Sequence, residues 1–102
     1  MTIGIIEDDT LLHQALKTAL QSAGYQTVSA YTKQEALTAV TGSESLLLID
    51  IGLPDGNGLA CYKEIREKAE IPAIFLTARD EETDMLTAFD TGADDYVVKP
   101  FS

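Results

Sequence analysis

Leu46-Leu47-Leu48-Ile49-Asp50-Ile51-Gly52-Leu53-Pro54-Asp55-Gly56-Asn57-Gly58 is the stretch whose reading decides the fold: large apolar residues run up to one carboxylate, and the chain then enters loop. The run is too short for a helix and is bounded by Gly and Ser before it and by Pro and Gly after it. It therefore reads as a strand buried on both faces, the pattern of a parallel sheet. Open α/β sheets hold their ligands outside the carboxyl ends of the strands, where the strand order reverses, so Asp50 becomes a candidate for chemistry.

Upstream, Ile3-Gly4-Ile5-Ile6 is a second short β-branched run, and it too ends on acid, at Glu7-Asp8-Asp9. Leu12, Ala15, Leu16, Ala19, Leu20 and Ala23 then recur at helical spacing, with Gly24 as the residue that stops the helix. His13 lies off that stripe and reads as surface. Tyr25 to Tyr31 alternates weakly, as a strand near the sheet edge would. Thr32-Lys33-Gln34-Glu35 has the form of a capping box, opening a helix that turns Ala36, Leu37 and Val40 inward and ends at Gly42.

Downstream, the loop from Pro54 to Gly58 reads as a simple turn into a third helix. Leu59, Tyr62 and Ile65 mark its inner face, and Lys63, Glu64, Arg66, Glu67 and Lys68 its outer one. Pro72 to Thr77 is the fourth strand. Asp80 can cap a fourth helix bearing Met85, Leu86 and Phe89 and closed by Gly92, and Tyr96-Val97-Val98 is a fifth strand ending at Lys99-Pro100. Four strand-helix units and a last lone strand predict an α/β, doubly wound parallel sheet with helices on both faces. The absence of a fifth helix suggests a single domain over 1–102, truncated before that helix.

Composition narrows the function. The 102 residues carry 17 acids against 7 bases, a formal charge of −10, which argues against contact with nucleic acid or an anionic membrane through this domain's own field. No apolar run approaches the roughly 20 residues a membrane helix needs, and the N-terminus has no secretory pattern, so a cytoplasmic location is expected. The single cysteine, Cys61, falls on the helical stripe with Leu59, Tyr62 and Ile65 and reads as a packing thiol.

The strand ends converge. The first delivers Glu7 and Asp8, the third Asp50, the fourth Thr77 and the fifth Lys99. If the strand order is 2-1-3-4-5, the first and third strands are neighbours, the order reverses between them, and the three acids meet there. Three such carboxylates require a cation, and an all-oxygen donor set with neither His nor Cys suits Mg²⁺ or Mn²⁺ rather than zinc. Lys99 adds a point charge for phosphate oxygens, and Thr77 a hydroxyl donor. The set describes phosphoryl transfer to a carboxylate, with an Asp as nucleophile. Each residue also has a plainer reading: Asp9 as a helix cap, Thr77 as a strand residue, Lys99 as a solvated charge. Their convergence on one sheet edge favours the functional one.

Four motifs in order carry a resemblance: Ile5-Ile6-Glu7-Asp8-Asp9, Leu48 to Gly56 around Asp50, Leu76-Thr77-Ala78-Arg79, and Gly92-Ala93-Asp94-Asp95-Tyr96-Val97-Val98-Lys99-Pro100-Phe101. Across its full length the chain resembles the receiver domain of bacterial two-component response regulators, and its Glu7-Asp8 pair and Lys99-Pro100-Phe101-Ser102 ending are similar to the OmpR/PhoB-type subfamily. The resemblance implies a flavodoxin-like, five-stranded parallel sheet in the order 2-1-3-4-5. It implies that Asp50 accepts a phosphoryl group from a sensor histidine kinase. Asp8, Asp50 and the Gly52 carbonyl would bind Mg²⁺, with Glu7 assisting through water, and Thr77 and Lys99 would contact the phosphoryl group. A cis Lys99-Pro100 bond, a Thr77–Tyr96 switch beneath the surface of the fourth helix and fifth strand, a possible homodimer and an output domain that binds DNA are implied in the same way, as is at most slow self-catalysed dephosphorylation. Gly52 and Arg79 flank the reacting group and would tune its lifetime.

Three rivals differ in class. A Mg²⁺-dependent aspartyl-phosphate hydrolase of the haloacid dehalogenase type needs an acid two residues after its nucleophile, where this chain has Gly52. A receiver-like module that signals without phosphorylation has no need of an intact acidic pocket. A flavodoxin-like cofactor binder is disfavoured by three acids where a phosphate would sit.

Overall fold

In the computed structural model the chain is described at residues 1–77 and, for the backbone, at 95–98. Strands β1 (Thr2–Ile6), β2 (Gln26–Ala30), β3 (Leu46–Asp50), β6 (Ala73–Thr77) and β7 (Asp95–Val98) form one parallel sheet in the order β2-β1-β3-β6-β7. Counting sheet strands alone, this is the expected 2-1-3-4-5. The remaining pair, β4 (Gly52–Leu53) and β5 (Gly56–Asn57), is a two-residue antiparallel hairpin in the loop after Asp50.

Helices α1 (Thr10–Ser22), α2 (Lys33–Ala39) and α3 (Gly58–Arg66) are placed by their caps. Asp9 accepts the N–H groups of Leu11 and Leu12 at the start of α1. At its end Gly24, with φ 97°, adopts the left-handed turn that suits glycine, so its own N–H reaches the Gln21 carbonyl and that of Tyr25 reaches Leu20. Thr32 caps α2 through Glu35 N–H, while the Glu35 carboxylate reaches back to Tyr31 N–H, one residue earlier than the simplest capping box. α2 stops at Ala39 rather than at Gly42, because Val40 is already extended and the Glu44 carboxylate collects the N–H groups of Thr41 and Gly42 into a turn of their own.

Right-handed crossovers place α1 on one sheet face and α2 with α3 on the other. The α2/α3 face holds the core: Ile6, Leu47, Ile49, Ile51, Leu59, Cys61, Tyr62, Ile65 and Phe75 are buried together. Tyr62 is fully enclosed, meets Phe75 edge-on with ring centroids 5.6 Å apart, and gives its hydroxyl hydrogen to the Ile71 carbonyl at 2.8 Å. The polar residues Lys63, Glu64, Arg66, Glu67 and Lys68 are exposed, as the helical pattern predicts. On the α1 face Leu46 and Leu48 are only half-buried, so β3 is not apolar-covered on both sides as its sequence suggests; burial alternates along it.

His13 corrects the reading of α1. It is wholly buried, with its ring stacked on Tyr31 at 4.0 Å, whereas Ala15, Ala19 and Ala23 of the expected stripe are exposed. The buried seam of the helix is rotated toward β2, where Tyr31 supplies a flat partner for the imidazole.

Candidate functional site

Strand register builds the site. Ile6 pairs with Ile49 and Asp50 with Leu76, while Thr77 pairs with Val98, so β1, β3, β6 and β7 end at one edge of the sheet. Glu7 follows β1 directly, Asp50 is the last residue of β3 and Thr77 the last of β6. Glu7 and Thr77 are fully buried, Asp50 is 4% exposed, and Asp8 lies open beside them.

The carboxylates of Glu7, Asp8 and Asp50 each place an oxygen within 4.8 Å of the other two. At that separation two full charges repel by about 3 kcal/mol at an effective dielectric of 20. The Asp8 carboxyl responds by titrating above its ordinary range, chiefly through partial burial and next through the adjacent Asp50, with a hydrogen bond involving Glu7 pulling the other way. The neighbouring start of α1 contributes the positive end of a helix dipole. Its N–H groups at Leu11 and Leu12 are spoken for by Asp9, so compensation for the pocket's charge must come from elsewhere. A cluster of oxygen donors, two of its three residues buried, is the donor set that a hard divalent cation such as Mg²⁺ or Mn²⁺ fits.

The loop after Asp50 is tied down on three sides. Gly52 N–H bonds Asp50 Oδ1 at 3.2 Å, and Gly58 N–H bonds the Ile51 carbonyl at 2.8 Å. A methyl group on Gly58 would fall well inside van der Waals contact distance of the Asp50 carbonyl oxygen, so α3 begins against the backbone of Asp50 as only glycine permits. Asp55 at the hairpin tip accepts Lys33 N–H at 2.7 Å and Gln34 N–H at 3.0 Å from the start of α2, and these amides hold its carboxyl below the usual range. Lys33 in turn meets Glu64 of α3 at 2.9 Å. The stretch is thus a braced hairpin between two helices, and not a mere turn.

Glu7, Asp8, Asp50 and Thr77 therefore stand together as expected, with Gly52 two residues beyond Asp50. Tyr96 is placed by its backbone alone, paired with Phe75. Lys99, Arg79, the Lys99-Pro100 bond and the fourth helix lie outside the described residues. Three contributors escaped sequence reasoning: Asp55, Gly58 and His13. The Asp55-Gly56 and Asn57-Gly58 pairs are turn signals, and only these hinted at a structured loop.

The family model described as the response regulator receiver domain matches residues 3–102. Among curated proteins, the transcriptional regulatory protein BasR of Escherichia coli is 47% identical over 104 residues, covering 100% of this chain and 47% of its own. The KDP operon transcriptional regulatory protein KdpE, also of Escherichia coli, is 42% identical over 98 residues, covering 95% and 44%. The chain thus spans about half the length of these relatives. Among solved structures, the non-phosphorylated HemR receiver domain from Leptospira biflexa superposes with a TM-score of 0.92 at 34% identity, over 99% of this chain and 83% of that one. A two-component response regulator from Clostridium difficile gives 0.93 at 32% identity, over 100% and 85%.

Proposed function

The chain belongs to the response regulator receiver domain family, and on that premise we propose that Asp50 is its phosphoacceptor, charged by a sensor histidine kinase. The observation that carries this reading is the Asp50 carboxylate, 4% exposed at a strand end and within 4.8 Å of oxygens from Glu7 and Asp8. A carboxylate oxygen of Asp50 forms the new P–O bond as the P–N bond of a phosphohistidine breaks, and the departing imidazole takes up a proton.

Asp8, Asp50 and the Gly52 carbonyl are the ligands we assign to Mg²⁺ or Mn²⁺, with Glu7 acting through water. Bound there, the ion would neutralise charge that builds on the transferred oxygens. The protein's own part is positional. The Gly52 N–H and the Gly58 contact hold Asp50 at the rim, and Glu7, fully buried, is tied to the start of α1 by the Asp9 N–H on its Oε2. The Thr77 hydroxyl and the Lys99 ammonium contact the new phosphoryl group. Thr77 and Tyr96 then form the switch that carries its arrival to the surface of the fourth helix and β7.

In this reading Asp50 is charged once per event and cleared slowly, and the domain is not a turnover enzyme. The curated relatives are named as transcriptional regulators, which supports an output domain in the whole protein, of the DNA-binding kind used by the OmpR/PhoB-type subfamily; a homodimer belongs to the same reading. Among the described residues no helix is long and apolar enough to cross a membrane; a cytoplasmic site of action is part of the proposal and follows from the sensor-kinase partner.

Incubation with Mg²⁺ and a small acyl phosphate, followed by intact mass measurement, tests the proposal. A gain of one phosphoryl group that is lost in Asp50→Asn is expected. No gain at any Mg²⁺ concentration in the folded protein would point to a phosphorylation-independent module, and turnover of many donor equivalents to a hydrolase.

A further inference from the structure

His13 is a buried titratable residue that the phosphoacceptor reading does not use. Its Nδ1 lies 2.8 Å from the Glu7 carbonyl oxygen. A carbonyl can only accept, so Nδ1 carries the hydrogen and donates it. The ring is held for this by its stack on Tyr31, centroids 4.0 Å apart and planes within 15°. Nε2, also buried, has no hydrogen-bond partner among the described residues. An aliphatic side chain would fill this seam without leaving a desolvated nitrogen, so the imidazole is poorly explained as filling alone.

The bond lands at a sensitive place. Glu7 N–H already donates to the Ala30 carbonyl at 3.0 Å, and Glu7 Oε2 accepts Asp9 N–H at 3.1 Å. The Glu7 carbonyl, held by His13, belongs to the peptide that joins Glu7 to Asp8. Rotation of that peptide would re-aim both carboxylates at once, since one side chain leaves the chain just before it and the other just after.

We propose that His13 is a positioning residue: by fixing the Glu7–Asp8 peptide it sets the two acids that follow β1 at the geometry a divalent cation needs. The inference rests on the cation-binding reading of Glu7, Asp8 and Asp50. It assigns His13 no contact with the ion or the phosphoryl group.

Two substitutions separate the parts of the side chain. His13→Phe keeps a ring on Tyr31 and removes the donor; His13→Asn discards the ring and keeps an N–H at the position of Nδ1. Mg²⁺ affinity is measured by calorimetric titration of each folded protein, with thermal melting alongside. His13→Phe should weaken Mg²⁺ binding by about tenfold, the lower end of what hydrogen-bond partners of a metal's ligands contribute. His13→Asn should bind close to wild type even where it melts lower, because affinity follows the donor and not the ring.

Equal Mg²⁺ affinity in His13→Phe and wild type would overturn the proposal, as would losses that follow melting temperature in both variants. Absence of Mg²⁺ binding by the wild-type protein would instead remove the cation reading itself, and the role of His13 with it. Should His13→Phe not fold, Mg²⁺ affinity in His13→Asn decides: a loss of about tenfold with the donor retained would contradict the account.

Discussion

At the residue scale, Asp50 is a charge kept where a charge is costly. Asp50→Asn removes one of three neighbouring carboxylates, so the variant should melt higher than wild type without divalent ions, and it should lose the further rise that Mg²⁺ gives the wild type. Paired melts with and without Mg²⁺ read both effects; a variant that melts lower without ions would mean that the cluster is not under repulsion. Cys61 is the opposite case. Burial pushes its thiol up to about 11, so alkylation of the native protein near pH 8 should be far slower than of the unfolded chain. Rapid labelling of the folded protein would place the thiol outside the core. Both residues were readable in the sequence, Asp50 because it ends an apolar run and Cys61 because it falls on a helical stripe. His13 was not, since an imidazole beside such a stripe carries no mark of facing in or out, and Tyr31, its partner, is 18 positions away, just past the end of β2.

At the element scale, the sheet could be read because apolar runs of strand length alternate with helical periodicity, and handedness leaves few ways to arrange them. Boundaries depended on polar side chains meeting backbone in three dimensions. α2 ends early because Glu44 takes the amides that would have continued it, and the loop after Asp50 is rigid because Asp55 binds amides 21 and 22 positions back. Gly58 belongs to the same lesson: its need for a bare Cα arises from the Asp50 carbonyl, a contact no local pattern displays. Gly58→Ala should therefore cost about 1–3 kcal/mol in chemical denaturation, as overpacking against backbone does, and should weaken Mg²⁺ binding as Asp50 is displaced. Wild-type stability and affinity in this variant would show that the start of α3 does not brace the site.

For the whole molecule, an excess of ten negative charges makes its stability depend on pH through a few specific carboxyls. Burial pushes Glu44 up, but the amides of Thr41, Glu44 and Gly42 with the Thr41 hydroxyl outweigh it, leaving it below its ordinary 4.5; Asp55 lies below 3.8 through the amides of Gln34 and Lys33. Both therefore stabilise the fold above those ordinary values and lose that effect as pH falls through their lower native ones. Asp8 has the opposite sign: its raised pKa means that taking up a proton relieves the fold. Urea midpoints in Mg²⁺-free buffer should rise slightly on acidification above the ordinary carboxyl range and then fall, and Asp8→Asn should abolish the rise alone. A midpoint that falls steadily from about pH 7 would contradict this ordering. The proposed phosphoryl transfer in this fold turns on a single side chain, Asp50. Its most direct measurement phosphorylates the protein with Mg²⁺ and an acyl phosphate, reduces the product with borohydride, which converts an aspartyl phosphate to homoserine, and maps the peptides. Homoserine in place of Asp50 alone is the predicted result; homoserine at any other acid, or a borohydride-resistant phosphoryl group on a hydroxyl side chain, would contradict it.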